Sequence, residues 1–223
     1  EILNGNLLNP DSNGIIGLYS KNGYSTARIE SITVGETGDV NIGLSEGIVK
    51  DITFEKSTPK NDNDRQSSKR TKLRTKDYVL ERYLEVKPGQ VLNNSDLESS
   101  IRELYRTGIF TRVTPELYGS ETDPNERNIK FIVEERPTTT INGSISYGTS
   151  VGLVGGLKLA DDNFLGRDQQ ASINLEASNK GDKTFSIDWF DPWVKGTERV
   201  QMGGSAYWTQ SVDDDADWDE LEK

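Results

Sequence analysis

The chain has 223 residues, with 26 Lys and Arg against 37 Asp and Glu, a formal charge of −11. That acid excess argues against a general nucleic-acid binder, because phosphate recognition needs a basic face. The sequence has no His and no Cys, which removes the commonest general base, the commonest metal ligand, disulfides and thiolate chemistry. Nowhere does it run to about 18 consecutive apolar residues, so no membrane-crossing helix is expected. The opening Glu1-Ile2-Leu3-Asn4-Gly5 does not read as a signal peptide.

An internal repeat organises the first half. Residues 5–24 and 90–109 align at an offset of 85, pairing Leu7 with Leu92, Asn9 with Asn94, Ile16 with Ile101, Tyr19 with Leu104 and Gly23 with Gly108. Each copy reads as a turn, an N-cap, an amphipathic helix and a glycine stop. In the second copy Ser95 and Glu98 have the spacing of a capping box. Strand-like runs follow each helix, at 27–34 and 39–44 after Gly23, and at 110–118 and 128–134 after Gly108.

The second copy also has a front half. It consists of a strand at 48–55 and a helix at 75–86, with Val79, Leu80, Tyr83 and Leu84 on one side and Pro88-Gly89 as the stop. The resulting order is strand, helix, helix, strand, strand. The first copy lacks the front half, so the chain is expected to begin inside a domain. Between strand and helix, residues 56–76 carry Arg65, Lys69, Arg70, Lys72, Arg74 and Lys76 without an apolar period, and read as a long, mobile, solvated basic loop.

From about Thr138 helical periodicity gives way to five alternating runs. The first is weak, at 141–147. Leu153, Leu157 and Leu159 mark the second, and Ala171, Ile173, Leu175 and Ala177 the third. Phe185, Ile187 and Trp189 mark the fourth, and Val200, Met202, Ala206 and Trp208 the fifth. Period-2 alternation gives each strand one apolar and one polar face. A soluble antiparallel sheet and a transmembrane barrel both fit. Run length and the aromatics near run ends (Phe164, Phe190, Trp193, Trp208) suit the barrel, which would need strands beyond Lys223 to close. The tail at 213–223 has seven carboxylates in eleven residues but no EF-hand pattern, and reads as an acidic inter-strand loop that binds no metal.

With these segments in hand, the chain resembles the BamA-type superfamily of outer-membrane assembly and translocation proteins, most of all its cyanobacterial and plastid outer-envelope members. Residues 16–24 (IGLYSKNGY) and 101–110 (IRELYRTGIF) are similar to markers of POTRA (polypeptide-transport-associated) domains, and 129–137 (IKFIVEERP) to the exit strand of the last one. Residues 157–167 (LKLADDNFLGR) and 189–196 (WFDPWVKG) are similar to early barrel motifs. The resemblance implies α+β POTRA domains (β-α-α-β-β) followed by the first antiparallel strands of a transmembrane β-barrel. The expected division is the C-terminal part of one POTRA domain at 1–46, a complete membrane-proximal POTRA domain at 47–137 with the basic insert 56–76, about five barrel strands at 138–212, and the acidic loop 213–223.

The resemblance also implies a function without covalent chemistry or cofactor. POTRA domains would bind unfolded clients by adding them as strands to a sheet edge, and the barrel would conduct or laterally insert them. The candidate client edge is Thr111, Arg112, Val113, Thr114, Glu116 and Leu117. The lateral seam strand would carry Ile141, Gly143, Ile145 and Tyr147, where glycine weakens packing. Lys158, Asn174, Glu176 and Asp188 would face the lumen. The implied partners are unfolded client proteins or precursors, the lipid bilayer and accessory translocon or assembly subunits, with no nucleic acid. The implied location is a Gram-negative or cyanobacterial outer membrane, or the plastid outer or derived envelope. A two-partner secretion pore and a soluble all-β binding module are the alternatives.

Overall fold

A computed structural model describes residues 14–57 and 72–212. The turn and cap expected at 5–13, most of the basic insert (58–71) and the acidic loop 213–223 lie outside the described residues. Two compact units divide the chain. The first holds the described residues up to Leu73 together with Asp77–Glu135, and the second holds Arg74–Lys76 and the residues from Arg136 on.

In the first unit, α1 (Ile15–Lys21) precedes an antiparallel pair, β1 (Arg28–Val34) and β2 (Val40–Ser45). There follow β3 (Ile48–Lys56), α2 (Asp77–Glu81), α3 (Asn94–Arg106), β4 (Phe110–Gly119) and β5 (Glu126–Glu135). These last strands form a sheet in the order β3-β5-β4, with β5 parallel to β3 and antiparallel to β4. The sequence of β5 explains its central place. Ile129, Phe131 and Val133 alternate and are fully buried, and each such side chain contributes about 1.5–3 kcal/mol on burial. Phe131 stacks on Phe54 of β3 at 5.7 Å between ring centroids. Leu97 and Leu104 of α3, at helical spacing, close the core from one side with Leu80, Leu84 and Leu92.

Two local expectations are corrected. The cap of α3 is Asn93, not Ser95: the Asn93 Oδ1 accepts the Ser95 N–H at 2.8 Å, and Asn is as good an acceptor there as Ser. The helix expected at 75–86 covers only Asp77–Glu81. Beyond it the chain tightens to i→i+3 bonds, from the Tyr83 N–H to the Leu80 carbonyl and from the Leu84 N–H to the Glu81 carbonyl. The buried Ser100 hydroxyl of α3 then accepts the Glu85 and Val86 N–H groups, at 2.9 and 3.3 Å, so they do not continue a helix. The repeat copies meet at Gly23, whose carbonyl accepts the Asn94 N–H at 2.8 Å. Gly23 has φ +91, a backbone that favours glycine, and a Cβ there would lie 2.6 Å from the Asn93 Oδ1 and push that capping side chain aside.

The second unit is a sheet of β6 (Thr139–Gly148), β7 (Gly152–Phe164), β8 (Gln169–Ser178), β9 (Lys183–Asp191) and β10 (Met202–Gln210). Every neighbour is antiparallel, in the order β10-β9-β8-β7-β6. The fifth run begins at Met202 rather than Val200, whose carbonyl instead accepts the Val194 N–H. Residues directly opposite in the register share a face. One row reads Ile141, Leu159, Ile173, Ile187, Ala206, and the next Gly143, Leu157, Leu175, Phe185, Trp208. The other face carries Asn142, Lys158, Asn174, Ser186 and Tyr207 in one row.

Residues 74–76 correct the reading of 56–76 as a free loop at its C-terminal end. The Arg74 guanidinium donates to the Thr138 hydroxyl at 2.9 Å and pairs with Asp161. The Asn163 amide donates to the Thr75 hydroxyl at 2.9 Å, and the Lys76 N–H donates to the Gly166 carbonyl at 2.9 Å. Thr75, Thr138, Asn163 and Asp168 are all buried here. The turn between β7 and β8 is therefore a receptacle for three residues of the insert.

Candidate functional site

Two strands of the described residues have a partner on one side only in a way that bears on strand pairing: β4 in the first unit and β6 in the second. In an antiparallel ladder, alternate residues direct both N–H and C=O to the partner, and those between direct both away. The Ser120 N–H donates to the Glu126 carbonyl, which fixes the phase of β4 against β5. Even-numbered residues of β4 after the bulge between Phe110 and Arg112 bond to β5, and odd-numbered ones face the open side.

The expected client edge splits accordingly. Arg112, Thr114 and Glu116 direct their main chain to β5, with Arg112 opposite Glu134 and Glu116 opposite Lys130. Thr111 lies in the bulge, its hydroxyl donating to the Glu134 carbonyl at 3.2 Å. Val113 and Leu117 turn their main chain to the open side, as does Pro115, which the sequence reading passed over. Val113 is buried in the core through its side chain, yet its N–H donates to the Tyr105 hydroxyl of α3 at 3.0 Å. Pro115 has no N–H at all, the arrangement in which an edge strand tolerates proline. Outward carbonyls thus remain at Val113, Pro115, Leu117 and Gly119, and outward donors only at Leu117 and Gly119.

On the solvent side of this sheet the charges are paired. Glu55 beside Lys130 hydrogen-bonds it at 3.1 Å and holds its ammonium pKa above the ordinary lysine value. Lys50 donates to Glu126 and holds that carboxyl below the ordinary value.

For β6 the Asp162 N–H donating to the Thr138 carbonyl sets the phase. Even-numbered residues bond to β7, and the main chains of Thr139, Ile141, Gly143, Ile145 and Tyr147 face the open side. The four expected seam residues are among these five, and none is a proline. Ile141, Ile145 and Tyr147 are 71%, 83% and 75% exposed, far more than their counterparts in β8. Lys158, Asn174, Glu176 and Asp188 share the polar face. Lys158 is directly opposite Asn174, the Asn174 amide donates to Glu176 at 3.2 Å, and Asp188 accepts from the Ser172 hydroxyl at 3.1 Å. Among the described residues no three carboxylates converge as a cation site would require.

Sequence reasoning missed three participants. Pro115 inside an alternating run is a legible sign of an open edge. Tyr105 and the 74–76 receptacle depend on contacts between distant segments that periodicity does not encode.

Comparison with known proteins gives two family matches. Residues 71–136 match the POTRA family model, described as surface antigen variable number repeat, and residues 163–223 match the Omp85 superfamily domain. Outer envelope protein 80, chloroplastic, of Oryza sativa subsp. japonica is 24% identical over 207 residues, covering 89% of this chain and 30% of that protein. The outer membrane protein assembly factor BamA of Neorickettsia risticii (strain Illinois) is 28% identical over 116 residues, covering 52% of this chain and 15% of the relative. The chain therefore spans less than a third of either relative's length. The crystal structure of BamA from Haemophilus ducreyi lacking POTRA domains 1–3 superposes with a TM-score of 0.60 at 21% identity, over 84% of this chain and 33% of that one, a likeness of fold. An outer-membrane location, bacterial or plastid in type, agrees with both groups of relatives. The chain carries POTRA and Omp85 superfamily domains, a POTRA-like α+β part followed by strands that resemble the barrel of BamA, and it is a relative of BamA and of the chloroplast Outer envelope protein 80.

Proposed function

We propose that this chain belongs to a machine that inserts polypeptides into, or passes them across, an outer membrane. Residues 1–46 are read as the C-terminal part of one POTRA domain and 47–137 as a membrane-proximal one with its insert at 56–76. Residues 138–212 are read as transmembrane barrel strands, and 213–223 as a loop between strands. Unfolded clients add as strands to the POTRA edge at β4, and β6 forms the seam at which the barrel opens toward the bilayer. The polar face with Lys158, Asn174, Glu176 and Asp188 lines a wet lumen. Accessory subunits join the assembly in the aqueous compartment. Every step is an exchange of main-chain hydrogen bonds, so no covalent intermediate or cofactor enters.

One observation carries the reading. The rows built on Leu157, Ile173, Leu175 and Ile187 are continuous across five strands, yet these side chains are 39–49% exposed. An uncovered apolar face of that extent is suited to hydrocarbon. Trp208 lies on this face beside Phe185, and Trp189 beside Ala171. The test is reconstitution of the chain in vesicles whose lipids carry bromine in the acyl chains. Trp189 and Trp208 should lose most of their fluorescence. Unquenched tryptophans in a vesicle-bound, folded chain would remove the lipid-facing assignment.

A further inference from the structure

We infer that Tyr105 and Pro115 restrict strand addition at the β4 edge to its Leu117–Gly119 end, with Tyr105 acting as a guard over the rest. The inference rests on the reading of β4 as a client edge and concerns which part of it works. A strand laid along β4 needs, at every second residue, one donor and one acceptor. At residue 113 the donor already points into the Tyr105 hydroxyl at 3.0 Å. At 115 proline supplies none. Both positions offer only carbonyls, so an incoming extended segment leaves its own carbonyls there in water. Leu117 is the first position on the open side to offer both groups, and it is 41% exposed.

Geometry explains why the two devices differ in kind. Pro115 is a permanent block, since no rearrangement restores an N–H. Tyr105 is a reversible one. It is the last-turn tyrosine of α3, 43% exposed, and its hydroxyl can turn to water once another acceptor takes the Val113 N–H. The helix thereby influences the edge without touching the client. The occupant is an extended segment of alternating polarity, held by main-chain bonds and indifferent to its exact sequence. A free edge with full pairing capacity invites nonspecific sheet growth, and blunted edges are the usual protection.

The experiment uses the whole chain in detergent micelles and a fluorescein-labelled peptide of alternating Thr and Val flanked by Lys, read by anisotropy. Tyr105→Phe should tighten binding about fivefold, the typical net worth of one recovered main-chain hydrogen bond. Leu117→Pro should abolish binding at this edge in both backgrounds. Its N–H faces away from β5, so the sheet should tolerate the change, and unaltered ellipticity at 222 nm confirms folding. If Tyr105→Phe leaves affinity unchanged while Leu117→Pro lowers it, the guard is refuted and the client edge stands. If Leu117→Pro leaves affinity unchanged, the client edge itself falls, and the guard with it.

Discussion

Replacing Gly166 by alanine tests the receptacle for residues 74–76. Gly166 has φ +71, and a Cβ there would fall on the carbonyl of Arg74, which belongs to the backbone and cannot swing aside. Left-handed backbone costs a non-glycine residue about 1–2 kcal/mol. Displacing the segment breaks the Lys76 N–H bond to the Gly166 carbonyl, worth about 0.5–1.5 kcal/mol, and leaves the buried Asn163 amide without Thr75, at about 1–3 kcal/mol. The expected total is about 3–5 kcal/mol, so the Lys76 amide should exchange with solvent roughly a hundred- to several-thousandfold faster. Gly196→Ala is the control, because Gly196 has φ +83 but nothing within 4 Å of a Cβ and should show the backbone strain alone. Hydrogen exchange of the whole chain in micelles reads the outcome. Equal protection of Lys76 in both variants would refute the steric argument.

Three further outcomes are expected. Ile187→Arg, between Ile173 and Ala206 on the apolar face, should cost about 2–4 kcal/mol in a bilayer, while Ser186→Arg on the opposite face should cost little. Urea titration of vesicle-bound chain decides, and equal costs would count against lipid contact. Leu104→Ala removes a fully buried α3 side chain and should cost the first unit about 2–5 kcal/mol. Ellipticity at 222 nm follows that unit, because all helices among the described residues belong to it. The tryptophans at 189, 193 and 208 follow the other and should not respond. Finally, the Lys50 hydrogen bond holds the folded-state pKa of Glu126 below its unfolded value. Its stabilisation is therefore complete above the unfolded value and is lost as pH falls through the lowered folded one. Lys50→Met should move Glu126 upward in a carboxyl-carbon NMR titration, and an unmoved titration would exclude Lys50 as the cause.

Legibility in the sequence followed the range of the forces involved. The β5 and β7–β9 runs were readable because alternation records which face is apolar, and the register aligns those faces strand by strand. The α3 stripe was readable for the same reason at helical period. What escaped were polar groups serving a distant element. Ser100 looks like a neutral residue inside a helix, yet it ends the run after α2 by accepting two N–H groups. Asn93 looks like a turn residue beside the better-known Ser95–Glu98 spacing, but its side chain both caps α3 and occupies the gap at Gly23. Arg74 counted as one more loop cation until its partner Asp161 came within reach. On β4 the alternation gave the strand but not its pairing capacity, because a tyrosine from α3 subtracts a donor that no local pattern reveals.

The joint at Gly23 has a consequence for growth of the array. The Asn93-Asn94 plug of one repeat enters a socket made by the glycine that ends the preceding helix. Such a head-to-tail connector is not self-limiting, since each unit can bear both halves. In the second repeat Gly108, 85 positions after Gly23 in the alignment, shares the left-handed backbone that the socket uses, with φ +69. Duplication of one unit would therefore carry its own coupling along, and arms of different length could arise without inventing a new joint.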